Sequence, residues 1–163
     1  MKEMALKEMA LQEIQEQYVE AIRVSGLSIR TRNADEMTPS SAKIGLLWQR
    51  FFSEGLCEKI PEKRPNSPVY GVYSRYESDA NGAFDVTAGV ATAEPAAGFE
   101  SLVIEAGRYL VFEARGQMPD AIIKTWQQIW TCFQQPGAPA RAYVTDFEVY
   151  QAGDLAFIYI GVR

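Results

Sequence analysis

Histidine is absent from this 163-residue sequence. That excludes a Ser-His-Asp or Cys-His nucleophile, a His-ligated zinc and a histidine pH switch. Proton chemistry would have to fall to carboxylates, tyrosine, lysine, cysteine or water. Cysteine is scarce as well. Cys57 and Cys132 lie far apart and form neither a CxxC pair nor a metal-spaced cluster. They read as two free, buried thiols in a reducing compartment. Basic residues number 16 against 21 acidic ones, a net charge of −5. The one small basic cluster, Lys59, Lys63 and Arg64, is interleaved with Glu58 and Glu62. No basic face is offered to phosphates, so no nucleic-acid partner is predicted. No run reaches the roughly 20 apolar residues of a membrane-spanning helix. Met1–Glu8 alternates acidic and basic residues and lacks the apolar core of a signal peptide. The sequence predicts a soluble, cytoplasmic protein with no membrane partner and no cofactor.

Apolar residues make up 47% of the chain, enough to bury the core of one domain or one duplicated domain. Lys-Glu-Met-Ala-Leu occurs twice, at Lys2–Leu6 and Lys7–Leu11, and these helix formers predict an N-terminal helical extension over residues 1–17. Residues 18–30 read as a strand that bulges or bends at Gly26. Thr38-Pro39 predicts a helix start. Ile44, Leu47, Trp48, Phe51 and Phe52 then form one continuous apolar helix face, ended by Gly55. Val69–Glu77 and Ala83–Ala91 read as strands joined by a turn at Asn81-Gly82.

The second half repeats the order. Ser101–Glu105 and Arg108–Arg115 are strand-like. A helix opens at Met118-Pro119-Asp120 with Ile122, Trp126, Ile129, Trp130 and Phe133 on one face. Arg141–Tyr150 and Leu155–Arg163 form a final hairpin around Gln151–Asp154. Trp48-Gln49 and Trp126-Gln127 match between the halves, as do Phe84 with Phe157 and Tyr70 with Tyr143. These matches predict an α+β fold of two βαββ pseudo-repeats, residues 18–91 and 101–163, within one domain spanning 18–163. One joined antiparallel sheet would carry two main helices on one face, with a ligand cleft between the halves.

Four segments carry a resemblance: Gly26–Asn33, Leu46–Phe51, Val69–Asp79, and Asp146–Tyr150 followed by Ile158–Ile160. In this order and spacing they resemble the GyrI-like effector-binding domain family over about residues 18–163. Its members form ligand-sensing halves of AraC- and MerR-type regulators and also occur alone. The chain as a whole looks like the integron gene-cassette proteins of that family, described as cationic-drug-binding modules. The resemblance implies an aromatic-lined cavity between the halves. It also implies that a buried glutamate on the penultimate strand binds lipophilic cations. The matching residue is Glu148, with Phe157 and Tyr159 as matching aromatics on the last strand. Regulators carry a separate DNA-binding domain, and no such domain is read here.

The residues can be read independently of the resemblance. Glu148 and Tyr150 share one strand face, and Phe147 and Val149 share the other. If Ile158 and Ile160 pack on the helices, Glu148, Tyr150, Phe157 and Tyr159 gather on the opposite face as a cation box. Each ring facing a cation contributes about 0.5–2 kcal/mol. An empty box predicts a raised Glu148 pKa or a tyrosine hydroxyl bonded to it. Tyr73 is expected to share a face with Glu77, Asp85 and Thr87 as the other wall. Trp48, Trp126 and Trp130 are expected on apolar helix faces, each with an edge free for ligand. Glu105 and Glu113 read as solvated strand charges, and Tyr76 as structural. Two other readings stay open: a small-molecule hydrolase using cleft glutamates, and a protein-interaction module of the gyrase-inhibitor type. Sheet edges and the N-terminal helix offer surfaces for a homodimer or a separate regulatory partner protein.

Overall fold

A computed structural model describes residues 14–163. The first half contains β1 (Gln15–Val19), β2 (Ile22–Thr31), α1 (Asn33–Glu36), α2 (Ile44–Ser53), α3 (Leu56–Lys59), β3 (Val69–Ser74) and β4 (Phe84–Ala91). The second contains β5 (Glu100–Ile104), β6 (Gly107–Arg115), α4 (Asp120–Phe133), β7 (Arg141–Ala152) and β8 (Leu155–Val162). All eight strands join one antiparallel sheet in the order β1-β6-β8-β7-β3-β4-β2-β5. Exchanging the halves, β1 for β5 through β4 for β8, reproduces the same order read backwards. The sheet is thus pseudo-two-fold symmetric about the β3–β7 pair. Each half is a βαββ unit preceded by a short strand that pairs with the other half.

The predicted helix over residues 1–17 is corrected in its last turn, and residues 1–13 lie outside the described residues. Gln15 starts β1, which pairs with β6 from Gln15↔Val111 to Val19↔Gly107. The predicted boundary between residues 17 and 18 therefore cuts a strand. A long-range ladder overrides the local helix preference of Gln-Glu-Gln. The Thr38-Pro39 helix start is also corrected. Those residues lie in a turn, and α2 begins after Lys43. The Glu36 carboxylate accepts the Lys43 and Ile44 N–H groups at 2.9 and 3.0 Å. A distant acid thus satisfies the orphan amides that an N-cap would otherwise take. Gly55 ends α2 at φ 62°, in the left-handed region that suits glycine. β2 runs through Gly26 without a break in register.

Helices α2 and α4 lie on the same sheet face. Leu47 and Phe51 of α2 pack over Val86, Ala88 and Val90. Ile122 and Ile129 of α4 pack over Ala156, Ile158 and Ile160. Phe51 and Ile129 are wholly buried, and each contributes about 1.5–3 kcal/mol. The opposite face has a core of its own, joining Val19 of edge strand β1, Ile104 of edge strand β5, and Val72 and Phe147 of the central strands. Edge residues reach central ones because the sheet curls over that face. Among the described residues no helix is long and apolar enough to cross a membrane. The same residues gather no metal-ligating cluster.

Candidate functional site

Antiparallel pairing places Gly71 of β3 directly opposite Glu148 of β7, beside the pseudo-two-fold axis. Paired residues point to the same face, here the helix face. Each helix core sits over its own half, α2 over β4 and α4 over β8. The central pair, β3 and β7, therefore forms the sheet floor between the two helices. Trp48 of α2 reaches this floor from one side and Trp126 of α4 from the other. A Cβ at position 71 would lie 2.7 Å from Glu148 Oε1 and 2.9 Å from Trp48 Cζ2. Glycine lets the carboxylate and the indole approach the strand this closely. Substituting Gly71→Ala should displace both groups. We expect thermal unfolding to fall by a few degrees and tryptophan fluorescence to shift, since the clash is felt by an indole.

Glu148 is 2% exposed. Its Oε2 accepts the Tyr73 hydroxyl at 2.7 Å and the Trp126 indole Nε1–H at 2.7 Å. Its Oε1 accepts the Tyr150 hydroxyl at 2.7 Å. Among the described residues no lysine or arginine pairs with it. Burial raises its pKa above the ordinary 4.5, and the bonds from Trp126, Tyr150 and Tyr73 only partly offset that rise. The Tyr73 and Tyr150 hydroxyls are pushed up in turn, by burial first and by the Glu148 charge second. They stay protonated and remain donors. Rings enclose the carboxylate. Trp48 meets Tyr150 edge-on at 5.2 Å, and Tyr73 meets Trp126 edge-on at 5.0 Å.

Two residues along the same strand face, Asp146 shows the opposite arrangement. It is fully buried and paired with Arg141 Nη2 at 2.8 Å. Tyr76 donates its hydroxyl to Asp146, and the Gly161 N–H does so at 2.8 Å. The Arg141 guanidinium also lies over the Tyr143 ring, 4.4 Å from its centroid. One buried carboxylate is neutralised inside the protein and its neighbour is not.

The predicted cation box is corrected in its face and in its members: Glu148 and Tyr150 lie on the helix face with Ile158, while Phe157 and Tyr159 alone stay on the face away from the helices. Glu148 pairs with Ile158, whereas Phe157 pairs with Val149 and Tyr159 with Phe147. Phe157 and Tyr159 therefore point to the other side of the sheet, where Tyr159 stacks on Phe147 at 4.5 Å. The cause is one residue of register. A turn over Gln151–Asp154 pairs Tyr150 with Leu155 and Glu148 with Phe157. Instead the strands continue to Ala152, and a bulge between Tyr150 and Ala152 shifts the ladder by one. Such a slip moves every side chain to the opposite face. The first hairpin slips likewise. Tyr73 lies opposite Val86, so Asp85 and Thr87 face away from it, and Glu77 lies beyond the strand.

Trp48, Trp126, Tyr73 and Tyr150 gather at Glu148. Trp130 stands further out, 38% exposed and 6.3 Å from Trp126. Phe52, expected in the core face of α2, is 62% exposed and stacks on Trp48 at 5.8 Å. Its i+4 spacing from Trp48 aligns the two rings, but the same spacing joins Leu47 to the buried Phe51, so spacing alone does not mark it as an outer ring. Gly71 carries no sequence signal either. Glu105 and Glu113 are exposed, and Tyr76 bonds Asp146. Cys57 and Cys132 are free and half-buried.

Residues 16–162 match the Cass2 family of integron-associated effector binding proteins. This chain belongs to that family. A Vibrio cholerae integron cassette protein, VCH_CASS2, shares 38% identity with it at a TM-score of 0.80, covering 93% of this chain and 97% of that one. The protein SAV2435, solved bound to tetraphenylphosphonium, shares the fold at TM-score 0.75 and 21% identity over 93% and 94% of the two chains. The putative transcriptional regulator protein YobU of Bacillus subtilis is 28% identical over 137 residues, 82% of this chain and 83% of its own length. For this Cass2 member, the matches extend over the whole described fold, the strands that carry Gly71 and Glu148 included.

Proposed function

We propose that this Cass2-family protein is a small-molecule effector-binding domain for lipophilic organic cations, with Glu148 as their counter-charge. The observation that carries the reading is a buried carboxylate held by three neutral donors, with no lysine or arginine beside it among the described residues. An ionised carboxylate buried this way is costly until a positive partner arrives. The flanking Trp48, Trp126, Tyr73 and Tyr150 rings supply faces and edges suited to an aryl cation. The relative bound to tetraphenylphosphonium supports the same ligand class. A hydrolytic role would need a second available carboxylate. The neighbouring Asp146 is already engaged by Arg141, Tyr76 and Gly161, which favours binding without catalysis.

The test is a titration with tetraphenylphosphonium and with neutral triphenylphosphine oxide, read by tryptophan fluorescence. Saturable quenching by the cation and a much weaker response to the neutral compound are expected. Equal affinity for both would overturn the reading.

The raised Glu148 pKa adds a pH prediction. A permanently charged ligand binds the ionised carboxylate. Affinity should therefore be constant above the Glu148 pKa of the free protein. It should weaken about tenfold per pH unit below that pKa. The break should fall above pH 4.5, the ordinary carboxylate value, and binding within that window should release a proton. Calorimetric titrations in buffers of different ionisation enthalpy measure that proton. A profile flat down to pH 4.5 would contradict the arrangement.

A further inference from the structure

The two oxygens of the Glu148 carboxylate are unequally occupied. Oε2 accepts the Tyr73 hydroxyl and the Trp126 indole N–H, both at 2.7 Å. Oε1 accepts the Tyr150 hydroxyl alone. A carboxylate offers about four acceptor positions, two on each oxygen. Oε2 is therefore filled, and among the described residues one position stays open, on Oε1.

The rings divide in the same way. Trp126 lies on the filled side, bonded to Oε2 and edge-on to Tyr73 at 5.0 Å. Trp48 lies on the open side. It meets Tyr150, the Oε1 donor, edge-on at 5.2 Å, and its Cζ2 crowds the same point above Gly71 as Oε1. Among the described residues no hydrogen bond ties Trp48 to the carboxylate. Outward, Trp48 stacks on Phe52 at 5.8 Å, and Phe52 is 62% exposed. Glu148 itself is 2% exposed, so a ligand reaches it only when a ring gives way. Displacing Trp126 breaks a charge-assisted hydrogen bond. Displacing Trp48 breaks none with Glu148 and uncovers the oxygen that can still accept.

We infer that the cation docks on Oε1 from the Trp48 side, and that the site selects aryl amines with a single ammonium N–H, protonated tertiary amines, over quaternary cations. The inference rests on Glu148 being the counter-charge of a cation and narrows the ligand class. A tertiary ammonium brings one donor for one vacant acceptor and leaves its carbon groups to the rings. A quaternary cation of the same shape brings charge but no donor. A secondary ammonium brings a second N–H that finds no free acceptor on Glu148 and is stranded among the rings.

The full chain is titrated at neutral pH with dimethyl(2-naphthylmethyl)amine, its trimethylammonium derivative and the monomethyl amine, with tetraphenylphosphonium as the control cation. Calorimetry reads affinity, and NMR reads the Trp48 and Trp126 indole N–H signals. The tertiary amine should bind about tenfold more tightly than either relative. At saturation the Trp48 signal should move while Trp126 keeps its hydrogen-bonded position. Tyr150→Phe vacates a second position on Oε1, so the secondary amine should rise to match the tertiary one. Tyr73→Phe vacates a position on Oε2, on the far side, and should leave the ranking as it is. Quaternary binding as tight as tertiary would overturn the inference. So would loss of the Trp126 bond with Trp48 unmoved, or a ranking that Tyr150→Phe leaves unchanged. Tetraphenylphosphonium binding without a tertiary preference removes this inference and leaves the cation reading; no binding by any cation removes both.

Discussion

Glu148→Gln should lose tetraphenylphosphonium binding by about thirty- to a thousandfold while the empty protein stays folded. The size follows from the roughly 2–4 kcal/mol cost of deleting one partner of a buried charge pair. Glutamine keeps the shape and one carbonyl acceptor for the Trp126, Tyr73 or Tyr150 donors. A freed tyrosine hydroxyl can rotate to accept from the new amide. Stability should move the other way. Folding raises the Glu148 pKa, so ionisation opposes folding. The penalty is absent below pH 4.5, grows as pH rises, and is complete above the folded pKa. At neutral pH the variant should therefore melt at the wild-type temperature or a few degrees above it. Loss of affinity with loss of fold would assign Glu148 a structural role. Unchanged affinity would remove it from the site.

Asp146→Asn should behave in the opposite manner. It strands the Arg141 guanidinium, whose side chain is 7% exposed, without its counter-ion. Breaking a buried ion pair from one side costs about 3–5 kcal/mol. In a chain of this size that lowers the melting temperature by roughly 6–20 °C. Removing both charges with Arg141→Met and Asp146→Leu should recover much of the loss, because no bare charge then stays inside. Thermal melts of Arg141→Met, Asp146→Leu and the double close this cycle. If Asp146→Asn melts no lower than Glu148→Gln, the contrast between the neutralised and the unpaired carboxylate fails. The two acids stand two residues apart on one strand face. Only their partners separate a charge neutralised by Arg141 from one that, among the described residues, meets neutral donors alone.

The sequence and its resemblance led directly to Glu148. Alternation placed Tyr150 with it, and helical spacing placed Trp48 and Trp126 on apolar faces. The same reasoning failed at Phe157 and Tyr159 because alternation defines two faces without saying which face of the partner strand meets them. Phe52 escaped because an amphipathic stripe does not say where the core ends.

Histidine's absence, the two cysteines and the −5 charge belong to composition, and the internal repeat and the main helix and strand runs after β1 belong to local pattern. Those are local or countable properties, and residues state them without knowing their neighbours. Pairing decided the rest. The β1–β6 and β5–β2 ladders exchange edge strands between the halves. The bulge after Tyr150 flips the last strand by one residue. The β3–β7 register sets Gly71 across from Glu148. Each is a contact between distant segments, chosen because it lets the whole sheet bury its apolar faces at once. That collective condition, rather than any residue's own preference, left Glu148 inside the fold with no lysine or arginine beside it among the described residues.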